Sequence, residues 1–376
     1  MTKRTLFFIL FISLVLALLT LKLYGIHTKY PGVDETWTLT YGYDAVHGKL
    51  IENAKKDSFP PLYYLLSGIV LSIHNSALAL RISTVIISII LLVVFFFFVK
   101  TFFSTNHALL FTFLLTLNPM SLIFAQHPRP YTLLMLFFVL SLWFCISIMR
   151  FNKKRDYIFL GLVYLVSLYT HYYTAFFIII QVLFLLIFHY RTKRINLTLF
   201  FSTLTIVAIL FSFWLPIFFT QYHSLISQEK ISIDTLTLIE IPYPLYKMSL
   251  MADISSTLLT TIPLLFGVAI LITILFLRGL LTLHKQDTLL SSFFAVNIIG
   301  FFFITIILGF FIPIYSFRYL SLLLPLFILY LGIGMDIKNT YLRNFLFGII
   351  IISWILILIH YFSVSDFPLW RHDYAV

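Results

Sequence analysis

The chain has 376 residues, of which 61% are hydrophobic, 10% are charged and 43 are phenylalanine. This composition excludes a soluble protein with a single core and indicates an integral membrane protein. The formal net charge is +11, but the basic residues lie at the ends of apolar runs, which is typical of membrane topology rather than of a nucleic-acid-binding groove.

Apolar runs long enough to cross a bilayer recur along the chain, and the alternation typical of strands is absent. We therefore predict an all-α polytopic membrane protein with about eleven transmembrane helices, forming one membrane-embedded domain over residues 1–376. The first run lacks a small-x-small cleavage site and is predicted to be an uncleaved span. The predicted spans are 5–24, 82–99, 107–125, 131–149, 157–172, 174–189, 196–219, 257–277, 288–311, 317–335 and 344–362.

The charges between these spans are distributed unevenly. With the N-terminus in the cytoplasm, the cytoplasmic segments carry fourteen Lys or Arg and three Asp or Glu, and the other side carries eleven of each. This bias follows the positive-inside rule and predicts a multi-pass protein of the inner or plasma membrane with a cytoplasmic N-terminus. Chemistry that needs a carboxylate is then expected on the extracytoplasmic face.

Two predicted outer loops are long enough to fold over that face, at residues 25–81 and 220–256. In the first loop, Asp34 is expected to cap a helix that ends near Gly48 and lies along the membrane interface. A second short helix, interfacial or partly inserted in the membrane, is expected after Pro60 and Pro61, because proline is tolerated in a first helical turn. The second loop is interpreted as a lid or a groove wall.

An adjacent acidic pair, Asp34 and Glu35, is the first candidate for chemistry. An ionised carboxylate at the outer interface can accept a proton from a hydroxyl group, and its neighbour can orient a substrate or bind a metal. Both residues also suit a purely structural role, in which Asp34 caps the helix and Glu35 interacts with its N-terminal dipole. The spacing leaves both roles open.

Basic and aromatic residues at the outer ends of several spans form the second set of candidates. Arg129 lies between two prolines in the segment from His127 to Tyr131, and a guanidinium held there suits a phosphate group. His171 interrupts an apolar hairpin, and Arg318 begins a late span. Each also fits an ordinary residue of the membrane boundary, where arginine, histidine and tyrosine are common.

The order of these motifs resembles that of the GT-C membrane glycosyltransferases. The chain carries V-D-E, F-P-P-L-Y-Y-L-L, A-L-R-I, F-A-Q-H-P-R-P-Y-T-L-L, L-Y-T-H-Y, W-L-P and F-R-Y-L, which together extend from Asp34 to about Pro325. More narrowly, it is similar to bacterial relatives of dolichyl-phosphate-mannose protein mannosyltransferases and of lipid A aminoarabinose transferases. One departure is Phe59, which stands where relatives usually have a basic residue or histidine.

This resemblance implies transfer of a sugar from a polyprenyl-phosphate-linked donor to an extracytoplasmic acceptor, with inversion at the anomeric carbon. Asp34 falls on the family's acidic position, its general base, and Glu35 is the neighbouring catalytic candidate. The donor phosphate and sugar would be bound by Arg129, Tyr131, His127, His171 and Arg318. The expected partners are the lipid-linked donor, a cell-envelope glycan, lipid or protein as acceptor, and membrane lipids, without nucleic acid.

Two alternatives and one question about a cofactor stay open at the level of sequence. The chain also fits a flippase of a lipid-linked saccharide or a non-catalytic membrane subunit of an envelope assembly. Metal dependence is undecided, and a divalent cation would have Asp34, Glu35 and His171 as its candidate ligands.

Overall fold

The computed structural model describes residues 16, 19–28, 32–57, 59–227, 236, 238, 240–251, 262–311 and 315–363. Over these ranges the chain is helical and contains no strand, as predicted. The helices, labelled in chain order from the first that is described throughout, are α1 Val33–Val46, α2 Leu50–Lys56, α3 Leu62–Ile73, α4 Ala77–Lys100, α5 Thr105–Leu117, α6 Pro119–Gln126, α7 Tyr131–Phe151, α8 Lys154–Leu168, α9 Thr174–Thr192, α10 Leu197–Ser212, α11 Leu215–Ser227, α12 Tyr243–Leu250, α13 Ile262–Gln286, α14 Thr288–Gly309, α15 Phe317–Leu320, α16 Leu324–Gly334 and α17 Thr340–Ser363. A 3₁₀ turn, Ser321–Leu323, joins α15 to α16.

The helices make this a multi-pass membrane protein. In the described part of the chain, seven helices are long and apolar enough to cross a membrane, or up to nine if two bent pairs each count as one span. Helices occupy ten of the eleven predicted spans, but α8, at 15 residues, is shorter than an ordinary span. The predicted span 5–24 lies mostly outside the described residues, so the total of about eleven is not confirmed.

Two predicted spans are broken by sharp bends. The run predicted at 107–125 bends by 62° between α5 and α6. Asn118 causes this break, since its side chain accepts a hydrogen bond from the backbone of Ser121 and Pro119 begins the new helix. The run at 196–219 likewise bends by 58° between α10 and α11, just before Pro216. Both bends change the direction of the chain instead of continuing a straight span.

The buried helices pack through small residues and uncharged hydrogen bonds. A Cβ atom at Gly279 would lie 1.8 Å from the carbonyl oxygen of Tyr330, so only glycine allows α13 and α16 to approach this closely. Between α7, α8 and α9, Gln181 accepts a hydrogen bond from Tyr164 at 2.9 Å and donates one to Ser141 at 2.9 Å. Such pairs hold transmembrane helices together without charge.

The first predicted outer loop contains the two short helices expected from the sequence, α1 and α3. Its helix start differs from the prediction: α1 begins after Gly32, which makes no side-chain cap, and Asp34 lies inside the first turn. Asp34 is therefore not the N-cap, and its carboxylate is available for other contacts. The predicted stop is confirmed, because α1 ends at Val46 and Gly48 has a φ of +83°.

A close contact between two glycines holds α1 against α3. A Cβ atom at Gly68 would lie 2.5 Å from the carbonyl oxygen of Gly42, so the backbones touch at this point. The buried side of α1 carries Glu35, Thr38, Gly42 and Ala45. This packing fixes the rotation of α1 and thereby the direction in which Asp34 points.

The second predicted outer loop, 220–256, is described at residues 220–227, 236, 238 and 240–251, and its function as a lid or a groove wall stays a prediction. Within it, α12 is fixed at its C-terminal end. Asn118 donates a hydrogen bond to the carbonyl of Met248 at 2.8 Å, and the indole of Trp354 donates one to the carbonyl of Ser249 at 2.6 Å. These bonds satisfy carbonyl groups that a helix end leaves without partners.

Candidate functional site

Asp34 lies between two arginines that are distant in the sequence. Arg318 Nη1 donates a hydrogen bond to Asp34 Oδ2 at 3.1 Å, and Arg129 Nη2 lies 3.6 Å from Asp34 Oδ1. The Asp34 side chain keeps 22% of its surface exposed, whereas that of Arg129 keeps 7%. The three predicted residues therefore form one cluster that combines an accessible carboxylate with two cations.

Glu35 occupies a different environment from Asp34. Both of its carboxylate oxygens accept hydrogen bonds from Arg81, from Nε and Nη2, at 2.7 Å each, and both side chains are almost fully buried. Burial raises the pKa of the Glu35 carboxyl, and the Arg81 guanidinium opposes that rise. Arg81 also donates to the carbonyl of Ile26 at 2.7 Å. The pair therefore ties α1 to α4 and to the segment before α1.

The turn from Gln126 to Tyr131 positions Arg129. Gln126 donates to the carbonyls of Lys22 and Tyr24 at 2.8 Å each and anchors the turn. The backbone N–H of Arg129 donates to the His127 carbonyl at 2.8 Å, which makes the turn tight between the two prolines. The rigid segment carries the guanidinium toward Asp34.

Phe59 completes the surroundings of Arg129, a contact that the sequence analysis missed. The guanidinium carbon of Arg129 lies 4.7 Å from the centre of the Phe59 ring, within the range of a cation–π interaction. The backbone near Phe59 is held by two hydrogen bonds. Gln221 Nε2 donates to the Phe59 carbonyl at 3.1 Å, and the Leu62 backbone N–H donates to the Tyr169 carbonyl at 2.9 Å. The signal was the aromatic residue at a position where relatives carry a basic one.

His171 lies in the turn between α8 and α9, and its ring centre lies 5.1 Å from that of Phe59. Its Nδ1 accepts a hydrogen bond from the backbone of Tyr173 at 3.1 Å, so the proton of the neutral ring is on Nε2. Burial lowers the pKa of His171 to about 3, and burial likewise lowers the pKa of His127 to about 3. Both rings are therefore neutral near pH 7.

Aromatic rings line the side of the cluster that faces the helix bundle. Tyr319 follows Arg318, and its ring lies 4.8 Å from that of His171, 4.5 Å from that of Tyr173 and 6.4 Å from that of Tyr131. Tyr131 is also stacked on His127 at 6.3 Å. Every predicted phosphate- or sugar-binding residue thus lies at this cluster, together with Tyr319, which the sequence analysis did not single out.

Two buried donors in the cluster lack a partner. Arg129 Nε and His171 Nε2 make no hydrogen bond to any residue that the structure describes. An unsatisfied buried donor costs about 1–3 kcal/mol. Two such donors beside a cation–π contact indicate a place for an acceptor-rich anion.

The same residues do not form a binding site for a metal ion. Among the residues described, no three His, Cys, Asp or Glu side chains lie close enough together to hold a cation, so Asp34, Glu35 and His171 are not such a group. Asp34 faces two arginines, Glu35 is bound to Arg81, and the acceptor nitrogen of His171 is already occupied.

Comparisons with known proteins agree with the resemblance seen in the sequence. Residues 58–217 match the model of the family described as dolichyl-phosphate-mannose-protein mannosyltransferase. The fold is similar to that of apo ArnT from Cupriavidus metallidurans, with a TM-score of 0.61 and 13% identity over 92% of this chain and 62% of ArnT. For the ArnT structure bound to undecaprenyl phosphate, the TM-score is 0.60 and the identity is 14%, over 95% of this chain and 63% of ArnT. A comparison with curated protein sequences gives no match.

A third similar structure comes from a different enzyme. The Archaeoglobus fulgidus oligosaccharyltransferase, tethered with an acceptor peptide, gives a TM-score of 0.54 and 11% identity over 95% of this chain and 55% of that one. The chain therefore spans a little over half to about six tenths of the length of these proteins. At identities this low the likeness is one of fold.

Proposed function

The chain has the fold of the GT-C membrane glycosyltransferases, and we propose that it is itself a glycosyltransferase that uses a polyprenyl-phosphate-linked sugar as donor. The observation that carries the proposal is the convergence of Asp34, Arg129 and Arg318, with distances of 3.6 Å and 3.1 Å from the two guanidiniums to the carboxylate. Transfer of a sugar from a phosphate leaving group needs a base for the acceptor hydroxyl and cations that stabilise the departing phosphate, and this cluster contains both.

In this proposal the donor phosphate is bound by Arg129 and Arg318. A phosphate offers the same kind of oxygen acceptors that the guanidiniums now find in Asp34. The unsatisfied Nε of Arg129 and Nε2 of His171 supply two further donors. His127, Tyr131 and Tyr319 surround the site and bind the donor sugar. The ArnT structure bound to undecaprenyl phosphate supports this choice of ligand.

Asp34 acts as the general base. Its carboxylate takes the proton of the acceptor hydroxyl while the acceptor oxygen forms a bond to the anomeric carbon. The bond from that carbon to the phosphate oxygen breaks, and the polyprenyl phosphate leaves with the electron pair toward Arg129 and Arg318. Attack from the face opposite the phosphate inverts the anomeric carbon. The exposed side of Asp34 lets the proton pass to solvent.

Glu35 has a positioning role rather than direct contact with substrate. Its two oxygens are occupied by Arg81 and its side chain is 3% exposed. The pair fixes α1 against α4 and so keeps Asp34 near the arginines. The charge bias of the loops supports an extracytoplasmic site in a protein of the inner or plasma membrane, with a cytoplasmic N-terminus.

The test is transfer by the purified protein reconstituted in lipid. Radiolabelled polyprenyl-phosphate sugars are incubated with an envelope fraction of lipids and polysaccharides, with and without a chelator. We expect label to move to an acceptor. Movement of the donor between leaflets without any product would support a flippase instead, and binding of the donor with neither result would support a non-catalytic subunit.

A further inference from the structure

One flank of α1 extends from Asp34 along the helix surface. With 100° per residue, Asp34, Trp37, Tyr41 and Asp44 follow one another within a strip about 80° wide. This strip lies beside the buried side of the helix, which carries Glu35, Thr38, Gly42 and Ala45. The flank is about 15 Å long by the helical rise, which suits a short chain of substrate units.

Aromatic rings form the middle of this flank. Trp37 is 48% exposed, and its ring centre lies 5.0 Å from that of Tyr41. The Tyr41 ring in turn contacts Tyr64 on α3 edge to face, at 5.5 Å and 81°. The three rings form a row that starts one turn of helix from Asp34.

Polar groups border the row. The Tyr64 hydroxyl donates to Asp57 Oδ2 at 2.5 Å. Asp44 accepts a hydrogen bond from Asn53 Nδ2 at 2.8 Å and lies 3.8 Å from the Lys49 amine. Carboxylate groups beside the exposed Trp37 ring and the half-buried Tyr41 ring are a combination that binds a molecule with both hydroxyl groups and apolar C–H faces.

We propose that Trp37 and Tyr41, bordered by Asp44 and Asp57, form the acceptor subsite, and that the acceptor is a saccharide. This inference rests on the proposed function and names its acceptor class. The electron-rich faces of the rings attract the polarised C–H groups of a sugar, and the carboxylates accept hydrogen bonds from its hydroxyls. A saccharide on this flank has its terminal hydroxyl at Asp34.

Helix α1 contains an internal comparison for the exposed aromatic residue of the proposed subsite. Tyr43 is 44% exposed, close to the value for Trp37, but it lies on the far side of α1 and stacks on His47 at 4.1 Å. Tyr43 is thus an exposed aromatic residue of the same helix on a side away from Asp34. A saccharide subsite beside Asp34 needs Trp37 and does not need Tyr43.

Saturation-transfer NMR on the purified full chain in nanodiscs, without donor, tests the subsite. The probes are mannotriose, cellotriose, chitotriose and a threonine-containing peptide. We expect at least one trisaccharide to receive saturation and Trp37→Ala to weaken its binding about tenfold, as expected for loss of one aromatic contact of about 1.4 kcal/mol. Trp37→Phe retains most of the binding, Tyr41→Ala weakens it, and Tyr43→Ala leaves it unchanged.

Three results would overturn the saccharide subsite: saturation of the peptide alone, no saturation of any trisaccharide, or equal losses in Trp37→Ala and Tyr43→Ala. Thermal unfolding of each variant at the wild-type temperature shows that a loss of binding does not come from a loss of folding. Binding of undecaprenyl phosphate to the same samples reports on the proposed function separately. Binding of the trisaccharide without binding of the lipid phosphate would support the saccharide subsite and contradict the proposed polyprenyl-phosphate donor.

Discussion

Arg129 makes two contacts that a lysine does not reproduce, since a planar guanidinium both stacks on Phe59 and presents several donors in a fixed geometry. We expect Arg129→Lys to weaken binding of undecaprenyl phosphate about tenfold, the effect of one lost charge-assisted hydrogen bond. Native mass spectrometry or a lipid titration measures this affinity.

Arg150 provides the matched control for that substitution. It also lies over an aromatic ring, Phe102 at 4.9 Å, and pairs with an aspartate, Asp287 at 2.9 Å. Arg150→Lys is expected to leave lipid phosphate binding unchanged. Equal effects of the two substitutions would show that the contribution of Arg129 is one of general stability.

His171 makes the stability of the fold depend on pH. Burial lowers its pKa from 6.5 to about 3, so the unfolded chain takes up the proton first as the pH falls. Stability is therefore fully present above pH 6.5 and decreases by up to about 1.4 kcal/mol for each pH unit below it. Chemical denaturation at pH 7.5, 6.5 and 5.5 measures the loss.

The variant His171→Asn isolates this contribution, because the amide oxygen can replace Nδ1 as acceptor for the Tyr173 backbone. We expect its stability to fall less on acidification than that of the wild type. His74→Asn, at an exposed histidine, is the control and should keep the wild-type dependence. Parallel pH curves for His171→Asn and the wild type would contradict the assignment.

At the scale of single helices, the contact of Gly42 with Gly68 places α1 and therefore Asp34. Gly68→Ala adds a Cβ atom 2.5 Å from the Gly42 carbonyl oxygen, which forces the two helices apart. We expect a loss of about 1–3 kcal/mol in stability and reduced transfer activity. Denaturation and the transfer assay are measured on the same preparation.

Gly348→Ala is the control for this helix contact. Its added Cβ atom meets no atom within 4 Å, so the helix preference of alanine makes the change neutral or stabilising by up to about 1 kcal/mol. If Gly68→Ala proved as harmless as Gly348→Ala, the close packing of α1 on α3 would not be what positions Asp34.

The elements show what local sequence patterns reveal and what they miss. The apolar runs predicted most of the membrane helices, and Pro61 and Gly48 marked a helix start and a helix stop. The break at Asn118 coincides with an Asn-Pro pair inside an apolar run, a turn signal that the prediction of one straight span did not use. Asp34 was wrongly predicted to be the N-cap because aspartate is favoured both at the N-cap and within the first turn of a helix.

The pairing of side chains that are distant in the sequence could be seen only in the folded chain. Glu35 and Arg81 are 46 positions apart, and Arg318 is 284 positions from Asp34, so no periodicity connects them. From the sequence, Asp34, Arg129 and Arg318 were predicted to lie on one side of the membrane, because the charge bias of the loops and the family resemblance both place them there. For Phe59 the signal was its departure from the residue that relatives usually carry, and nothing in the sequence indicated that Tyr319 would contact His171.

At the scale of the whole molecule, the charge bias predicts which side of the membrane holds the site. The sole cysteine, Cys145, is buried, and Cys145→Ser provides a background for labelling. We expect Lys49→Cys in that background to react with a membrane-impermeant maleimide in intact cells. Lys153→Cys should react only after permeabilisation, and the reverse pattern would contradict the extracytoplasmic site.

The most direct measurement of the central claim compares wild type with Asp34→Asn in two assays on the same reconstituted samples. We expect the variant to lose transfer of radiolabelled sugar to the acceptor. Binding of undecaprenyl phosphate should be equal or tighter, because Arg129 and Arg318 no longer face a competing carboxylate. Full transfer activity in a folded Asp34→Asn protein would contradict the assignment of Asp34 as the base.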